Sequence, residues 1–452
     1  MNPSPILPEK RTPLGKYKPV SRRSMLLGSA GAIGAAWLAT GLTGCSAVAA
    51  GGVVPLSFWH LLTGGDGIRM SGLVDQANAE NPDFKATQTV LTWGAPYYTK
   101  LAMASAGGRA PEVAIMHASR VPGYAPGGLL DPWDLDMLAK NDVTEADFPQ
   151  LVWDKGFSDK KLYSVALDIH PFILIYNKDI AKKAGVLGSD GKLPPMSSPE
   201  EFIAVARAMQ LATGVHGLSY GYLNDGSQLW RLWYTLYLQH GATMELPPGG
   251  TVKMNTDAAI SAFDFMRKLL DDKIATSRGD YATAVAEFVA GRSGMFFTGV
   301  WELPTVQSAG MNVGAMAIPT LFGTPAAYAD SHSFVLPHQN DPDKTKRADS
   351  YRFVADILKN SFDWAKAGHV PAYLPVTENP AYRSLKPQAD YVEITKIVNY
   401  DPAAWFSGSG SDFQNIFGQT LQGVLLSGAD PAAGIRGFVQ QINTLLSKPS
   451  PV

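Results

Sequence analysis

The sequence predicts an α/β fold, because apolar, strand-like runs alternate with helical segments along its first half. Three such runs are each followed by a turn and a helix: Val53 to His60, Phe84 to Thr92, and Glu112 to Met116. Each run ends at a loop that carries tryptophan or histidine. In open α/β sheets ligands bind beyond the carboxyl ends of the strands, so these loops are expected to converge on one crevice.

Length and composition predict a globular chain of two or three domains, with 452 residues, 46% hydrophobic and 17% charged. The formal net charge is only −2, and beyond the N-terminus no basic run is interleaved with aromatic residues. These features argue against a nucleic-acid-binding surface. After residue 44 the chain holds no Gly-x-Ser-x-Gly elbow, His-Glu-x-x-His helix or phosphate-binding loop.

Residues 1–44 are typical of an export signal. Arg22 and Arg23 form a twin-arginine pair, and the apolar stretch from Met25 to Leu42 is too short and too rich in Gly and Ala to hold a helix across a bilayer. The segment ends in Leu-Thr-Gly-Cys45, which resembles the lipobox of bacterial lipoproteins, whose cysteine becomes the acylated first residue. We therefore expect residues 45–52 to be a lipid-anchored tether on the outer face of the cytoplasmic membrane.

Cys45 is the only cysteine, so an intrachain disulfide and a cysteine-based zinc site are excluded. The alternative for this residue is a buried free cysteine at the end of a membrane anchor. Without residues 1–44 the chain carries 32 basic and 39 acidic side chains, a formal charge of −7.

The strand-end loops supply the first candidate binding residues. The first strand ends in Trp59 and His60, and the glycine-rich turn after it carries Asp66 at the start of a helix, where a carboxylate can also serve as an N-terminal cap. The remaining candidates in these loops are Trp93 after the second strand, and His117 and Arg120 after the third.

The stretch from Lys161 to Ile180 places Asp168 and His170 inside an apolar, β-rich segment. Two such side chains need partners when they are buried, because an unpaired polar group costs several kcal/mol, on the order of 1–3. The partners are either neighbouring groups in a strand that satisfies a core Asp, or water, or a ligand.

The second half of the chain adds aromatic candidates. Trp230, Trp233, Tyr234 and Tyr237 recur at helical spacing, which is typical of a core face, so only Tyr222 and Trp230, nearest the preceding loop, are taken as site candidates. Trp301, in the turn Gly299-Val300-Trp301, and Tyr373, in the segment from Gly368 to Pro375, are further candidates.

From Val53 to about Ser447 the chain resembles the extracellular solute-binding lipoproteins of ABC importers, in the family that includes maltose-binding and glycerol-phosphate-binding proteins. The order of several motifs and the lipobox carry the resemblance. The motifs are Phe58-Trp59-His60 with Gly64-Gly65-Asp66-Gly67, Gly123-Tyr124 with Gly127-Gly128-Leu129-Leu130, Leu162 to Ala166 leading to Ile175 to Asp179, Gly299-Val300-Trp301, and Gly368 to Pro375.

The resemblance implies a two-lobed periplasmic-binding-protein fold of type II, in which chain crossings join the lobes and the ligand lies in the cleft. The crossings would be Lys161 to Ile180, the region around 319–333, and Gly368 to Pro375. Residues 53–168 and 319–367 would form the N-terminal lobe, and residues 169–318 and 373–452 the C-terminal lobe.

The resemblance also implies a function and residue roles: a binding protein, not an enzyme, that delivers a sugar or amino sugar to an ABC permease. By motif position, Asp66 and Asp168 would bind sugar hydroxyls and Trp301 would stack on the sugar ring, while His117 and Arg120 lie in a contact region. His60, His170 and Tyr373 depart from the family pattern. No cofactor or metal is expected, and the chain is expected to be a monomer.

The chemistry of the candidates leaves alternatives open. Tryptophan faces suit the C–H faces of a sugar, and carboxylates accept hydrogen bonds from its hydroxyls. The runner-up ligand is a glycerophosphodiester or sugar phosphate, for which His60, His117, His170 and Arg120 supply part of a pocket. A more remote alternative is an exported glycoside hydrolase that uses Asp66 and Asp168. A histidine metal site is a further alternative, but no tight pair of histidines supports it, and ordinary ligand or core roles fit these residues better.

Overall fold

The computed structural model of the protein describes residues 52–451. The predicted export signal, the lipidation of Cys45 and nearly all of the tether 45–52 lie outside the described residues. Within residues 52–451, no helix is both long enough and apolar enough to cross a membrane.

Fifteen strands are present between residues 52 and 451, and all but two of them belong to two large sheets. The strands are β1 (Val54–His60), β2 (Phe84–Val90), β3 (Val113–His117), β4 (Leu130–Asp131), β5 (Phe157–Ser158), β6 (Lys161–Leu162), β7 (Ser164–Ala166), β8 (Asp168–Asn177), β9 (His216–Ser219), β10 (Ser293–Gly299), β11 (Val313–Ala317), β12 (Ala327–Asp330), β13 (His332–Pro337), β14 (Val370–Pro371) and β15 (Val398–Asn399).

Sixteen α-helices are present in the same part of the chain and cover the two sheets. The helices are α1 (Gly64–Glu80), α2 (Ala95–Ala106), α3 (Leu135–Ala139), α4 (Gln150–Asp154), α5 (Lys178–Lys183), α6 (Pro199–Thr213), α7 (Gly226–Gln239), α8 (Thr256–Leu269), α9 (Tyr281–Val289), α10 (Leu303–Ser308), α11 (Lys344–Lys359), α12 (Phe362–Ala365), α13 (Leu374–Thr377), α14 (Pro380–Ser384), α15 (Asp412–Leu426) and α16 (Pro431–Leu446).

The first sheet has the strand order β2-β1-β3-β13-β4, and β7 also pairs with β13. Strand β1 runs parallel to β2 and β3, so their carboxyl ends meet at one edge, as the sequence predicts. Helix α1 packs its buried residues Met70, Leu73, Val74 and Ala77 against this sheet; their spacing is that of one helical face. The α/β class predicted from the strand–loop–helix pattern is confirmed.

The second sheet has the order β15-β12-β8-β10-β9, with β11 and β14 also paired to β8. Every residue of β8 is buried. Its alternating side chains enter two cores: Phe172 and Leu174 pack on one side, Ile173 and Ile175 on the other. A strand covered on both faces needs a continuous apolar sequence, which explains the run that the sequence shows.

The chain passes between the two sheets at three crossings. The first crossing lies between β7 and β8 at Leu167, the second between β12 and β13 at Ser331, and the third between α12 and β14 around His369. Strand β12 pairs with β8 in the second sheet, and the chain leaves that sheet at Ser331. This pairing differs from the predicted boundary at residue 319, which assigns β12 to the N-terminal lobe. The other predicted lobe boundaries stay predictions.

Candidate functional site

A cavity of about 400 Å³ lies where the strand-end loops of the first sheet meet the second sheet. Residues from both sheets line its wall, as a two-lobed binding fold requires. The lining residues are Leu61, Leu62, Thr63, Gly64, Gly65, Asp66, Trp93, His117, His170, Asp225, Gln228, Arg231, Tyr281, Trp301, Glu302, Thr305 and His332.

The turn after β1 supplies one wall of the cavity. Asp66 lies in the first turn of α1, but the N-cap of this helix is Thr63, so the capping role considered for Asp66 is wrong. A β-carbon added at Gly65 would lie 2.8 Å from the β-carbon of Pro304, so this turn packs closely against helix α10. Asp66, the next residue, lines the cavity together with Thr305 of α10.

Trp301 forms the aromatic wall of the cavity, directly after β10. A β-carbon at Gly299 would lie 2.0 Å from the Trp301 ring, so only glycine lets the indole fold back over the strand end. The indole N–H donates to the hydroxyl of Tyr281 at 2.8 Å, and that hydroxyl donates to the Glu302 carboxylate. This chain of hydrogen bonds fixes the plane of the Trp301 ring.

Arg231 of α7 brings a cation to the same wall. Its guanidinium carbon lies 4.8 Å from the centre of the Trp301 ring, and its Nη2 donates to Ser409 Oγ at 3.2 Å. Its Nε is buried and has no hydrogen-bond partner among residues 52–451. Arg231 lines the cavity and brings its positive charge to this wall.

Beneath the cavity lies a group that we call the Asp168 cluster: Asp168, His170, His332 and His369. All four residues are buried. Asp168 accepts hydrogen bonds from His170 Nδ1 at 3.0 Å and from the backbone N–H and Nδ1 of His332, both at 2.8 Å. Trp364 Nε1 also donates to it, at 2.7 Å. The fold itself therefore supplies the partners that the sequence demanded for Asp168.

The charges of the cluster follow from these contacts. Burial alone would raise the pKa of Asp168, but His332, His369 and His170 outweigh burial and hold its pKa well below the ordinary value. Burial lowers the pKa of His170 to about 3, so this imidazole is neutral at pH 7. Burial would likewise lower the pKa of His369, but Asp66 and Asp168 raise it to about 10. His369 is thus a cation between two carboxylates, 3.0 Å from Asp66 Oδ1.

The neutral histidines present defined groups to the cavity. Since a carboxylate can only accept, His170 carries its proton on Nδ1, which leaves Nε2 as an acceptor. Burial, with the adjoining His332 and His170, lowers the pKa of His117 well below its ordinary value. The hydroxyl of Tyr98 lies 2.6 Å from His117 Nδ1 and fixes the orientation of that ring.

The structure brings five of the predicted site residues together on the cavity wall: Asp66, Trp93, His117, His170 and Trp301. Their individual roles as ligand contacts stay predictions. Asp168 lies directly behind His170 and His332 and does not line the cavity. The sequence predicts that Asp168 contacts a ligand, whereas in the structure its carboxylate is occupied by the hydrogen bonds described above.

Six other predicted residues do not line the cavity either. His60 is buried and lies 3.0 Å from Gln88 Oε1 through its Nε2. Trp59 lines a separate groove along α2, and Arg120 lies over the Tyr98 ring in another groove. Tyr222 and Tyr373 are core residues.

Both tyrosine hydroxyls are engaged by residues that do not line the cavity: Tyr222 donates to the carbonyl of Ser277 at 2.6 Å, and Tyr373 donates to that of Asp142 at 3.2 Å. Trp230, the other aromatic candidate, is fully buried and stacks on Tyr234. Its place in the core agrees with the helical aromatic stripe.

Sequence reasoning missed several wall residues. Arg231 interrupts the aromatic stripe of α7, and His332 stands in the apolar strand β13. Each carries the same signal that singled out His170, a polar residue within an apolar element. The other wall residues without a sequence prediction are Leu61, Leu62, Thr63, Gly64, Gly65, Asp225, Gln228, Tyr281, Glu302 and Thr305.

Comparison with known proteins agrees with this architecture. The family model described as "Bacterial extracellular solute-binding protein" matches residues 72–377. The chain belongs to this family. The membership confirms the resemblance drawn from the sequence, and with it the assignment as a binding protein of ABC importers and not an enzyme.

Individual relatives are distant in sequence but cover nearly the whole chain. The sn-glycerol-3-phosphate-binding periplasmic protein UgpB of Escherichia coli O1:K1 / APEC is 23% identical over 431 residues, 88% of this chain and 93% of the relative.

Two solved structures share the fold. The GacH receptor of Streptomyces glaucescens GLA.O, solved unliganded and with acarbose, has a TM-score of 0.72 at 18% identity and covers 87% of this chain and 98% of its own. UgpB of Mycobacterium tuberculosis, in complex with glycerophosphocholine, has a TM-score of 0.71 at 18% identity and covers 87% and 99%. The predicted two-lobed fold is confirmed.

Proposed function

We propose that the chain captures a sugar or amino sugar in the cavity and delivers it to the permease of an ABC importer. The observation that carries the proposal is the pairing of the Trp301 ring with the polar groups of Asp66 and Arg231 around one cavity. A sugar ring has apolar C–H faces that pack on an indole, and a rim of hydroxyls that both donate and accept hydrogen bonds.

The groups at the floor suit hydroxyls. His170 offers an unprotonated Nε2, which accepts a hydrogen bond from a hydroxyl but cannot donate one to a phosphate oxygen. Asp66 offers carboxylate oxygens, of which Oδ1 also contacts His369. A buried acceptor that a wrong epimer leaves unpaired discriminates strongly between sugars.

The charges on the wall favour an uncharged or cationic ligand. Three acidic side chains, Asp66, Asp225 and Glu302, line the cavity together with the single guanidinium of Arg231. Burial raises the pKa of Glu302, and the carboxylates of Asp66 and Asp225 oppose a phosphate group. An amino sugar would be attracted to the same carboxylates.

A second candidate ligand is a glycerophosphodiester or sugar phosphate. The guanidinium of Arg231 on the cavity wall is the observation that favours it, because a guanidinium suits a phosphate oxygen. The structural relative from Mycobacterium tuberculosis was solved with glycerophosphocholine. Among the described residues, Arg231 is the only lysine or arginine that lines the cavity.

A ligand scan by thermal unfolding separates these candidates. A ligand that binds the native state raises the melting temperature, so the full chain is screened against neutral sugars, amino sugars, sugar phosphates and glycerophosphocholine. We expect a rise with a member of the first two classes. A rise with glycerophosphocholine alone would replace the sugar by the second candidate.

We further propose that the chain is exported by the twin-arginine route and anchored through an acylated Cys45 to the outer face of the cytoplasmic membrane, where it acts as a monomer. The arginine pair, apolar stretch and lipobox in correct order support this. Labelled fatty acid should enter the wild-type chain in a lipoprotein-processing host and not Cys45→Ser. Equal labelling of both would reject Cys45 as the anchor.

A further inference from the structure

The Asp168 cluster draws its members from all three crossings. Asp168 and His170 open β8 after the first crossing, His332 opens β13 after the second, and His369 lies in the third. Strand pairing holds these segments side by side, since His170 pairs with Asp330 and Asp168 with Pro371. The cluster therefore occupies the place where the two sheets are joined.

The ligating atoms of the cluster converge. One carboxylate oxygen and one nitrogen from each histidine all lie within 4.8 Å of one another. The Nδ1 atoms of His170, His332 and His369 are 3.0, 2.8 and 3.0 Å from the oxygens of Asp168. These spacings are those of hydrogen bonds in the metal-free cluster. Ligation requires the nitrogens to release the protons that they share with Asp168 and to move to about 3.4 Å apart, the separation of ligands around a tetrahedral ion.

His369 has one nitrogen whose contact with the protein lacks hydrogen-bond geometry. Its Nδ1 is buried and makes no hydrogen bond with the described residues, although it lies 3.0 Å from Asp168 Oδ2. Its other nitrogen, Nε2, is held at 3.0 Å by the carboxylate of Asp66. A histidine held by a carboxylate on one nitrogen, with the other directed at a site, is the usual arrangement around a bound metal.

We propose that the Asp168 cluster binds one divalent transition-metal ion of the zinc class, ligated by Asp168, His170, His332 and His369. Imidazole nitrogens with one carboxylate oxygen suit such ions. A bound ion would tie the three crossings together. The proposal departs from the sequence prediction of no metal site.

Direct titration of the full chain tests the proposal. The protein is stripped with a chelator and titrated by calorimetry with Zn²⁺ alone, without any sugar. We expect one ion per chain, and visible ligand-field bands when Co²⁺ replaces Zn²⁺. A wild-type chain that binds no Zn²⁺ stoichiometrically overturns the proposal whatever the variants show.

Variants locate the ion. His332→Ala and His369→Ala should each weaken Zn²⁺ affinity by more than about 100-fold, since loss of even an outer-shell partner costs 10–100-fold. His338→Ala and His216→Ala are matched controls, because each removes a histidine paired with a carboxylate elsewhere, Asp131 and Glu287. Their affinity should stay unchanged.

Zn²⁺ binding that survives both cluster variants but is lost in a control variant assigns the ion to a surface pair and refutes the cluster site. If the cluster variants fail to fold, as judged by circular dichroism, X-ray absorption at the zinc edge of the wild-type complex decides. It should show three imidazoles in the shell, and fewer than two would contradict the assignment.

Discussion

Strand β8 and helix α7 each carry a charged side chain within an apolar element, and the structure treats the two charges differently. Asp168 at the start of β8 accepts hydrogen bonds from three different side chains and one backbone N–H. Arg231 in α7 has a hydrogen bond to Ser409 and contacts the Trp301 ring, while its Nε stays without a partner among the described residues. A buried charge that the protein pairs completely serves the fold, whereas a charge on the cavity wall is positioned to meet a ligand.

Removal of the paired charge should produce the largest effect. Asp168→Ala leaves several buried donors without an acceptor, so we expect the free energy of unfolding to fall by about 3–5 kcal/mol. Chemical denaturation measures the change. The exposed Asp83 serves as the control, and Asp83→Ala should change stability by less than about 0.5 kcal/mol. A similarly small change for Asp168→Ala would show that this carboxylate does not serve the fold.

Removal of the partly unpaired charge should act on binding rather than on stability. Arg231→Met keeps the apolar stem and removes the charged donors, so we expect ligand affinity to fall by about 10- to 150-fold, the equivalent of ~1.5–3 kcal/mol. Calorimetry with the best ligand of the scan measures the loss. Arg120→Met removes a guanidinium that also lies over an aromatic ring but outside the cavity, and its affinity should be unchanged. Equal losses in both variants would contradict the assignment of Arg231.

The pairing of His369 should appear as a pH dependence of stability. Its pKa is raised to about 10 in the folded protein from an ordinary 6.5, so its contribution is complete below pH 6.5 and is lost as the pH rises toward 10. The free energy of unfolding should fall over this window by up to about 1.4 kcal/mol per pH unit. Denaturation at several pH values should show the slope in the wild type and a smaller slope in His369→Gln. The same slope in both proteins would assign the dependence to other groups.

The two tryptophans that line the cavity should contribute unequally to ligand affinity. Trp301 is partly buried and held by Tyr281, whereas Trp93 is 39% exposed. We expect Trp301→Ala to weaken ligand binding by about tenfold, or ~1.4 kcal/mol, and Trp93→Ala to have a smaller effect. Calorimetry on both variants tests the order, and a greater loss for Trp93→Ala would reverse the assignment of the stacking residue.

Local patterns predicted much of the fold. Strands β1, β2 and β3 begin and end within two residues of the predicted runs, and Ser198 and Asn255 cap their helices as expected. These features depend on neighbouring residues, which a sequence displays directly. The family resemblance, and not the local pattern, placed the first crossing in the stretch from Lys161 to Ile180, which the structure divides among β6, β7, β8 and the start of α5.

The site was predicted less completely, because its residues meet only through long-range packing. Asp168 was correctly found to need partners, but those partners, His332 and Trp364, lie more than 160 residues away in the chain. Arg231 was not predicted as a site residue, because it lies within the aromatic stripe of α7, whose other members pack in the core. Trp59 and Arg120 belong to the right loops, yet their side chains enter neighbouring grooves. The sequence predicts which loop carries a side chain, whereas the direction of that side chain depends on how the whole chain packs.

The most direct test of the account is a crystal structure of the chain with the best ligand of the scan. We predict a sugar ring packed on the Trp301 indole in the cavity, with hydrogen bonds to Arg231 and Asp66 and none to the Asp168 carboxylate. A ligand seated in the groove beside Trp59, or hydrogen-bonded to Asp168, would contradict the division between the charge that serves the fold and the charge that serves the ligand.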